Sequence, residues 1–447
     1  MKSNDDYQYY YQQLPSDIIA YKKGKRRLTF GYASDLDVII DWDEKVFQEI
    51  IDDYLTIDPF IRDVEIIDSM ESFTRILSHY MIHGLGGEID ITSKEVCDVL
   101  DERFNTHFGL GGTCAQASTA LGTIGIPSIV HITDRSRETC RLMDDLDIEV
   151  VDHGNRVPLK TIANDNDPVR HIILQYPKGA KLEIGGEEYE TPVSNRMILD
   201  YDKIHKILPI DREFLDYCEL HAQDLIAYSA SGFNGIVDPF LMAEKGKQLS
   251  AHYKRVQTQN PNCIIYLESA HYLNPEVNDL VFKSLTTSVD LLGMNEEELV
   301  VYTRKHGMLI NQEDLKSVME GIELLLSEYP VKGVVLHSKD YAMYYGHKIE
   351  GVDFLKGLTL GNLLAGTRAR IGRYGSYKDC CDTLNLPLSQ LGSAFADQLS
   401  TMEVDRCVHI VPSRYMEQPK YTIGLGDTFV AGFMISFICA EFDQQGN

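Results

Sequence analysis

The spacing of apolar positions changes several times along the chain, and each change marks an element. Residues 45–80 repeat at helical intervals (Phe47, Ile50, Ile51, Tyr54, then Phe73, Ile76, Leu77), which predicts packed helices. Leu28 to Tyr32 reads as a strand that runs into Ala33 to Ile40, where period-2 alternation centres on Asp35 and Asp37. Gly109 to Gly122 opens a small-residue helix, and Ile126 to Ile132 follows as a buried strand. Val169 to Gln175 is a β-branched strand ending in the turn Pro177-Lys-Gly, with a charged hairpin over Leu182 to Thr191. From Asp224 onward buried strands alternate with helices, as a doubly wound α/β core requires; the strands are Leu225–Ala230, Cys263–Glu268, Val289–Asn295 and Gly333–His337. Leu358 to Gly372 reads as a packed amphipathic helix capped by Gly372. At the end, a short β-favouring run (Tyr421 to Ile423) enters a turn with glycines at 424 and 426, and an apolar helix follows from Thr428 to about Ala440. Two stretches carry no such signal: residues 1–20 read as a loosely attached segment and 134–166 as charged and irregular.

Composition narrows the function classes. At 447 residues the chain exceeds the roughly 250–300 at which one core stops growing, so a core plus a second domain is expected. The formal net charge of −26 opposes nonspecific binding to nucleic acid or anionic membranes. It also makes local clusters of Lys and Arg informative, because an anionic substrate needs them. Nine cysteines without Cys-x-x-Cys spacing and a polar, Tyr-rich N-terminus fit thiols in a reducing cytoplasm. No run approaches the ~18 apolar residues of a membrane span.

The chemistry concentrates in Gly424-Leu425-Gly426-Asp427. The first N–H groups of a helix lack internal partners and the dipole is positive there, so anions bind at such ends. Glycines let the backbone approach a phosphoryl group as it gains charge in transfer. Asp427, ionised in that field, can accept the proton of an attacking hydroxyl; as an alternative it is only an N-cap. Upstream, Glu268 and the pair Asn295 and Glu298 stand at the ends of two strands, which suits Mg²⁺, a hard ion that prefers oxygen ligands. His83-Gly-Leu-Gly-Gly lacks the Gly-x-x-x-x-Gly-Lys-Ser/Thr pattern and is not a phosphate loop.

Val411-Pro-Ser-Arg followed by Pro419-Lys-Tyr-Thr-Ile-Gly-Leu-Gly-Asp resembles the words of the ADP-dependent glucokinase and phosphofructokinase family, within the ribokinase superfamily. Similar words recur from about residue 30 to the C-terminus. The resemblance implies a ribokinase-like three-layer α/β core with a mostly parallel sheet, and a smaller discontinuous α/β lid from segments near 30–44, 84–108 and 168–200. It implies sugar contacts from Asp35, Asp37, Glu88, Gly112, Thr113 and His171, with Lys178 and Arg196 able to meet a sugar phosphate. Nucleotide contacts are implied at Ser231, Asn234, His337, Ser338, Val411, Pro412 and Gly424, and metal contacts at Glu268, Asn295 and Glu298. Three positions depart from the family pattern: Asp35 stands for Asn, Thr113 for Gln or Asn, and Tyr266 for His. Gln116, one helical turn after Thr113, is a candidate to compensate.

The reaction implied is transfer of the β-phosphoryl of ADP to a hydroxyl of glucose or fructose 6-phosphate, with Mg²⁺ and with Asp427 as base. The alternatives are an ATP-dependent sugar or nucleoside kinase of the wider superfamily, and a non-catalytic sugar- or nucleotide-sensing protein of the same fold. The expected partners are a small-molecule sugar and ADP.

Overall fold

The computed structural model describes residues 2–56, 66–144 and 146–438. Its larger sheet has ten strands, of which seven run parallel in the spatial order Gly333–His337, Leu291–Asn295, Ile264–Glu268, Leu225–Ala230, Arg27–Gly31, Ser128–Val130 and Ile148–Asp152. Antiparallel strands close both edges: Tyr341–Gly346 and Cys407–Pro412 on one side, Asn155–Pro158 on the other. The central strands are unbroken apolar runs because helices cover both faces. One face packs on helices that include Pro239–Gln259, Pro275–Leu285 and Leu315–Glu328. The other packs on Lys2–Lys23, Thr113–Thr123, Phe354–Ile371 and Leu425–Met434. This is the three-layer α/β/α core of the ribokinase-like fold.

A second sheet of five strands stands over the carboxyl ends of the parallel strands, in the order Gly87–Asp90, Asn195–Tyr201, Arg170–Tyr176, Asp35–Ile40, Thr106–Gly111. Strand side chains alternate between faces. Leu36, Val38, Ile172, Leu174, Met197 and Leu199 therefore enter a separate apolar core with helices Glu44–Tyr54, Met70–His83 and Lys94–Arg103. Their neighbours Asp35, Asp37, His171, Arg196 and Asp200 face the cleft between the sheets. The three segments expected for the lid all contribute strands here, and the helices between residues 44 and 83 join them.

Several stretches differ from the sequence-based expectation. The first residues are not loosely attached: they form helix Lys2–Lys23, whose Tyr7, Leu14 and Tyr21 are buried at helical spacing against the core. Within 134–166, Ile148–Asp152 and Asn155–Pro158 form a hairpin at the sheet edge, with Ile148 and Val150 in the core. Tyr421 to Ile423 is not a strand, because its backbone is drawn to helix Phe354–Ile371 through bonds from Lys420 and Tyr421 N–H to the Ala369 carbonyl (2.9 and 3.3 Å). The last helix starts at Leu425, earlier than Thr428, and continues past Met434 as a 3₁₀ turn to Phe437; the expected end near Ala440 lies outside the described residues.

Candidate active site

The turn before the last helix is the common wall of two cavities. Gly424 and Asp427 face a cavity of about 480 Å³ under the smaller sheet. Leu425 and Gly426 face a second, of about 560 Å³, on the core side. Gly424 adopts φ +63°, and a Cβ there would overlap the Gln116 side-chain oxygen Oε1, so only glycine fits. The first intrahelical bond runs from Thr428 N–H to the Gly424 carbonyl at 3.1 Å. It leaves the N–H groups of Leu425, Gly426 and Asp427 as the first-turn donors of that helix. Donors of this kind, between two cavities, can hold a phosphoryl group in transit.

Asp427 receives the Gln116 amide on Oδ2 at 2.8 Å. Burial raises its carboxyl above the ordinary value, while the Thr113 hydroxyl and the Arg368 guanidinium pull it back. Thr113, expected as a sugar contact, lines the same cavity as Asp427. Gln116 and Arg368, both buried, complete this corner, and the guanidinium of Arg368 lies 4.3 Å from the Tyr374 ring centre and 5.2 Å from that of Tyr421.

The first cavity gathers Asp35, Asp37, Glu88, Gly112, His171 and Arg196 as the sequence led one to expect. Burial and the neighbouring Asp35 push Asp37 up to about 7. His171 lies between two carboxylates, with Nδ1 3.2 Å from Asp35 and Nε2 3.2 Å from Asp202. Burial alone would lower this imidazole, but Asp35, Asp202 and Asp200 outweigh it and hold His171 well above its ordinary value. His205 closes the cluster, with Nδ1 2.7 Å from Asp202. Lys206 pairs with Asp90 at 2.6 Å. Sequence reasoning missed Asp200, Asp202, His205 and Lys206; the signal was the density of charged residues in Asp200-Tyr-Asp-Lys-Ile-His-Lys206 after a strand.

Lys178 is not part of this cavity: it sits in an exposed turn whose backbone N–H bonds the Ser194 hydroxyl. Asn234, expected on the nucleotide, lines the first cavity. Ser231 is buried and donates to the Gly31 carbonyl, which serves the junction between sheets.

The second cavity contains His337, Ser338 and Asn295. Val411 and Pro412 lie beneath it, not in it: the Val411 carbonyl accepts from Asn362 and the Pro412 carbonyl from Tyr7. The next residues, Ser413 and Arg414, provide the lining, as do Gly366 and Phe429.

Behind Asn295 and His337 of the second cavity, Glu268 ends the strand Ile264–Glu268 and Glu298 lies in the first turn of helix Glu296–Lys305, which follows the adjacent parallel strand. Glu268 accepts from the Tyr266 hydroxyl and lies 2.8 Å from His337 Nε2. Asn295 and Glu298 form a reciprocal capping box, with 2.9 Å from Glu298 N–H to Asn295 Oδ1. Burial and then Glu268 push Glu298 up to about 7. A carboxyl raised by burial and by a neighbouring carboxylate suits a hard divalent cation, which would favour its ionised form. Each oxygen already accepts one hydrogen bond, which suits Mg²⁺ held through its waters.

The profile of the ADP-specific phosphofructokinase/glucokinase conserved region matches residues 26–436. An ADP-specific phosphofructokinase of Thermococcus litoralis is 23% identical, over 93% of this chain and 96% of its own length. An ADP-dependent glucose/glucosamine kinase of Pyrococcus abyssi is 24% identical, over 79% of this chain and 80% of its own. Among solved structures, the last common ancestor of ADP-dependent phosphofructokinases from Methanosarcinales superposes with a TM-score of 0.79, covering 98% of each chain at 20% identity. An ADP-dependent kinase complex with fructose 6-phosphate and ADPβS has a TM-score of 0.74 over 98% of each chain, at 20% identity. With a match over nearly its whole length, and with two cavities meeting at the Gly424–Asp427 turn, this chain belongs to the ADP-specific phosphofructokinase/glucokinase family of phosphotransferases that act on a sugar hydroxyl.

Proposed function

We propose that this protein transfers the β-phosphoryl of ADP to a hydroxyl of an unphosphorylated hexose such as glucose, giving AMP and a hexose phosphate. The observation that carries the reading is the position of the Gly424–Asp427 turn between the two cavities, one for each substrate. The acceptor oxygen attacks the β-phosphorus, the bond from that phosphorus to the bridging oxygen breaks, and AMP leaves. Asp427 takes the hydroxyl proton, and the N–H groups of Leu425, Gly426 and Asp427 hold the charge on the transferring group. Bound at Glu268 and Glu298, Mg²⁺ would neutralise diphosphate charge. His337, Ser338 and Arg414 bind the nucleotide.

Charge favours an acceptor without a phosphate. The sugar-side cavity presents Asp35, Asp37, Glu88, Asp90, Asp200, Asp202 and Asp427 against His171, His205, Arg196 and Lys206, and Lys206 is already paired with Asp90. A phosphate dianion entering it meets an excess of carboxylates. Fructose 6-phosphate is the second reading: it has Arg196 and Lys206 in its favour, and an ADP-dependent kinase of the same fold is solved in complex with it. The eight described cysteines are all free thiols, which supports work in the cytoplasm.

The test is a product assay that crosses ADP and ATP with glucose and fructose 6-phosphate. Turnover with ADP and glucose is expected. Equal or faster turnover with ATP overturns the donor, and preference for fructose 6-phosphate overturns the acceptor.

A further inference from the structure

The Gln116 side chain is buried between the helix it belongs to, the last helix and helix Phe354–Ile371. Its Oε1 accepts from Arg368 Nη1 at 2.6 Å and from the Tyr374 hydroxyl at 3.2 Å. Its Nε2 donates to Asp427 Oδ2 at 2.8 Å. Arginine has donors and no acceptor, so it fixes the amide with the oxygen inward and the NH₂ on the carboxylate. Arg368 is itself locked, because Nη1 also bonds the Gly424 carbonyl and Thr428 Oγ1, each at 2.9 Å. Among the described residues the guanidinium forms no ion pair with a carboxylate; it touches this corner through the amide and the turn, and its charge favours the ionised Asp427 from there.

We propose that Gln116, held by Arg368 and Tyr374, is the positioning residue for the base: it restrains Asp427 Oδ2 and so presents Oδ1 to the acceptor hydroxyl. The proposal rests on the reading of Asp427 as base. A carboxylate bonded at one oxygen cannot rotate about its Cβ–Cγ axis without giving up that bond. The bond is donated to the ionised form and therefore also favours it. A role in the acceptor's own binding is a poorer fit. Gln116 reaches the cavity, but its oxygen already accepts twice and one of its N–H groups is taken.

Two variants test this. Gln116→Met keeps the length and loses both amide groups; Gln116→Glu keeps the oxygen that Arg368 binds and replaces the donor with an acceptor. For Gln116→Met the expected result is a kcat lower by about 10–10²-fold, the scale of a misplaced catalytic group. KM for acceptor and for ADP should stay within about threefold, and the acid limb of the pH profile should move to higher pH. Gln116→Glu should move that limb further, because it adds a like charge beside Asp427. A ¹³C-carboxyl NMR titration of Asp427, assigned by its loss in Asp427→Asn, reads the same upward shift without turnover. A wild-type kcat with an unmoved carboxyl titration overturns the proposal. So does a raised acceptor KM at unchanged kcat, which would make Gln116 an acceptor contact. Should the Met variant not fold, the Glu variant carries the test, since it retains the bond from Arg368. Wild-type protein inactive with ADP would overturn the proposed function, and the carboxyl titration would still decide the role of Gln116.

Discussion

Arg414 lies over Tyr7, with its guanidinium 4.2 Å from the ring centre, and the Tyr7 hydroxyl donates to the Pro412 carbonyl at 2.9 Å. Arg414 lines the second cavity, proposed for the nucleotide, so a helix from the opposite end of the chain props one wall of it. The same helix is tied to the core by the Tyr10 hydroxyl, 3.0 Å from Asp353, and by Asp17, 2.7 Å from Lys356.

Tyr7→Ala removes a fully buried aromatic ring and should cost about 3–5 kcal/mol in urea unfolding. Tyr7→Phe loses only the hydroxyl bond and should cost about 1 kcal/mol. If the helix also shapes the nucleotide wall, Tyr7→Ala raises KM for ADP and leaves KM for the sugar alone. An equal rise in both would reduce the helix to a general stabiliser.

The acceptor assignment can be tested residue by residue. Glu88 lines the first cavity, proposed for the sugar, without burial, and a hydrogen bond to a charged group contributes about 1.5–3 kcal/mol. Glu88→Ala should therefore raise KM for glucose by about 10–10²-fold. Arg196→Ala should leave KM for glucose within about threefold and raise it for a phosphorylated sugar. Lys178→Ala should change neither, because Lys178 sits in an exposed turn outside the cavity. A loss with glucose in Arg196→Ala but not in Glu88→Ala would reverse these roles.

What could be read from the sequence was whatever local pattern determines. The turn at Gly424 was legible because a glycine pair leads into an apolar run, words around it that resemble those of a family told it from a plain N-cap, and period-2 alternation put Asp35 and Asp37 on the cleft face. Arg368 was not legible. It lies inside a helix whose pattern is satisfied by packing, and nothing local says that its guanidinium turns inward between Tyr374 and Tyr421. The Tyr7, Leu14 and Tyr21 stripe had helical spacing, but polar neighbours and Pro15 hid it. Asn234 and Lys178 were placed by resemblance of words, and the side of a turn on which a side chain falls depends on tertiary contacts that words do not carry.

The unliganded protein should lose stability as pH rises toward 8. Burial pushes Asp37 and Glu298 up to about 7 and Asp200 up to about 6, from ordinary values of 3.8 for Asp and 4.5 for Glu. Between those values the folded chain binds more protons than the unfolded one, so the contribution of these groups to stability falls as pH rises through the window. His171 and His337, both raised by facing carboxylates against the opposing effect of burial, act in the same direction. Tm should drop between about pH 5.5 and 8 at constant ionic strength, and Glu298→Gln should flatten the slope. Mg²⁺ should recover more stability at the alkaline end, where Glu298 is ionised. A slope unchanged in Glu298→Gln would show that general charge repulsion in this acidic chain accounts for the trend.

Asp427→Asn separates chemistry from architecture. Asp427 is the third residue of the last helix, three residues past its left-handed Gly424 cap, and the first intrahelical bond does not involve its side chain. The substitution therefore keeps the helix start, and an amide at 427 can still meet the Gln116 amide through its oxygen. What it loses is the charge that accepts a proton. If Asp427 is the base, kcat should fall by about 10²–10⁴-fold, the usual worth of general base catalysis, on a variant with near wild-type Tm. ADP affinity should persist or improve, because the backbone donors of the turn remain and a negative charge beside the diphosphate is gone. The wild-type rate should itself decline at low pH, with an acid limb above the ordinary Asp value of 3.8, since burial raises the carboxyl and protonation removes the base. A near-normal kcat in the variant would leave the helix terminus as an anion site without a base, and the proton would have to be taken elsewhere in the cavity. Asp37, also raised by burial and facing the same cavity, would then be the residue to substitute next.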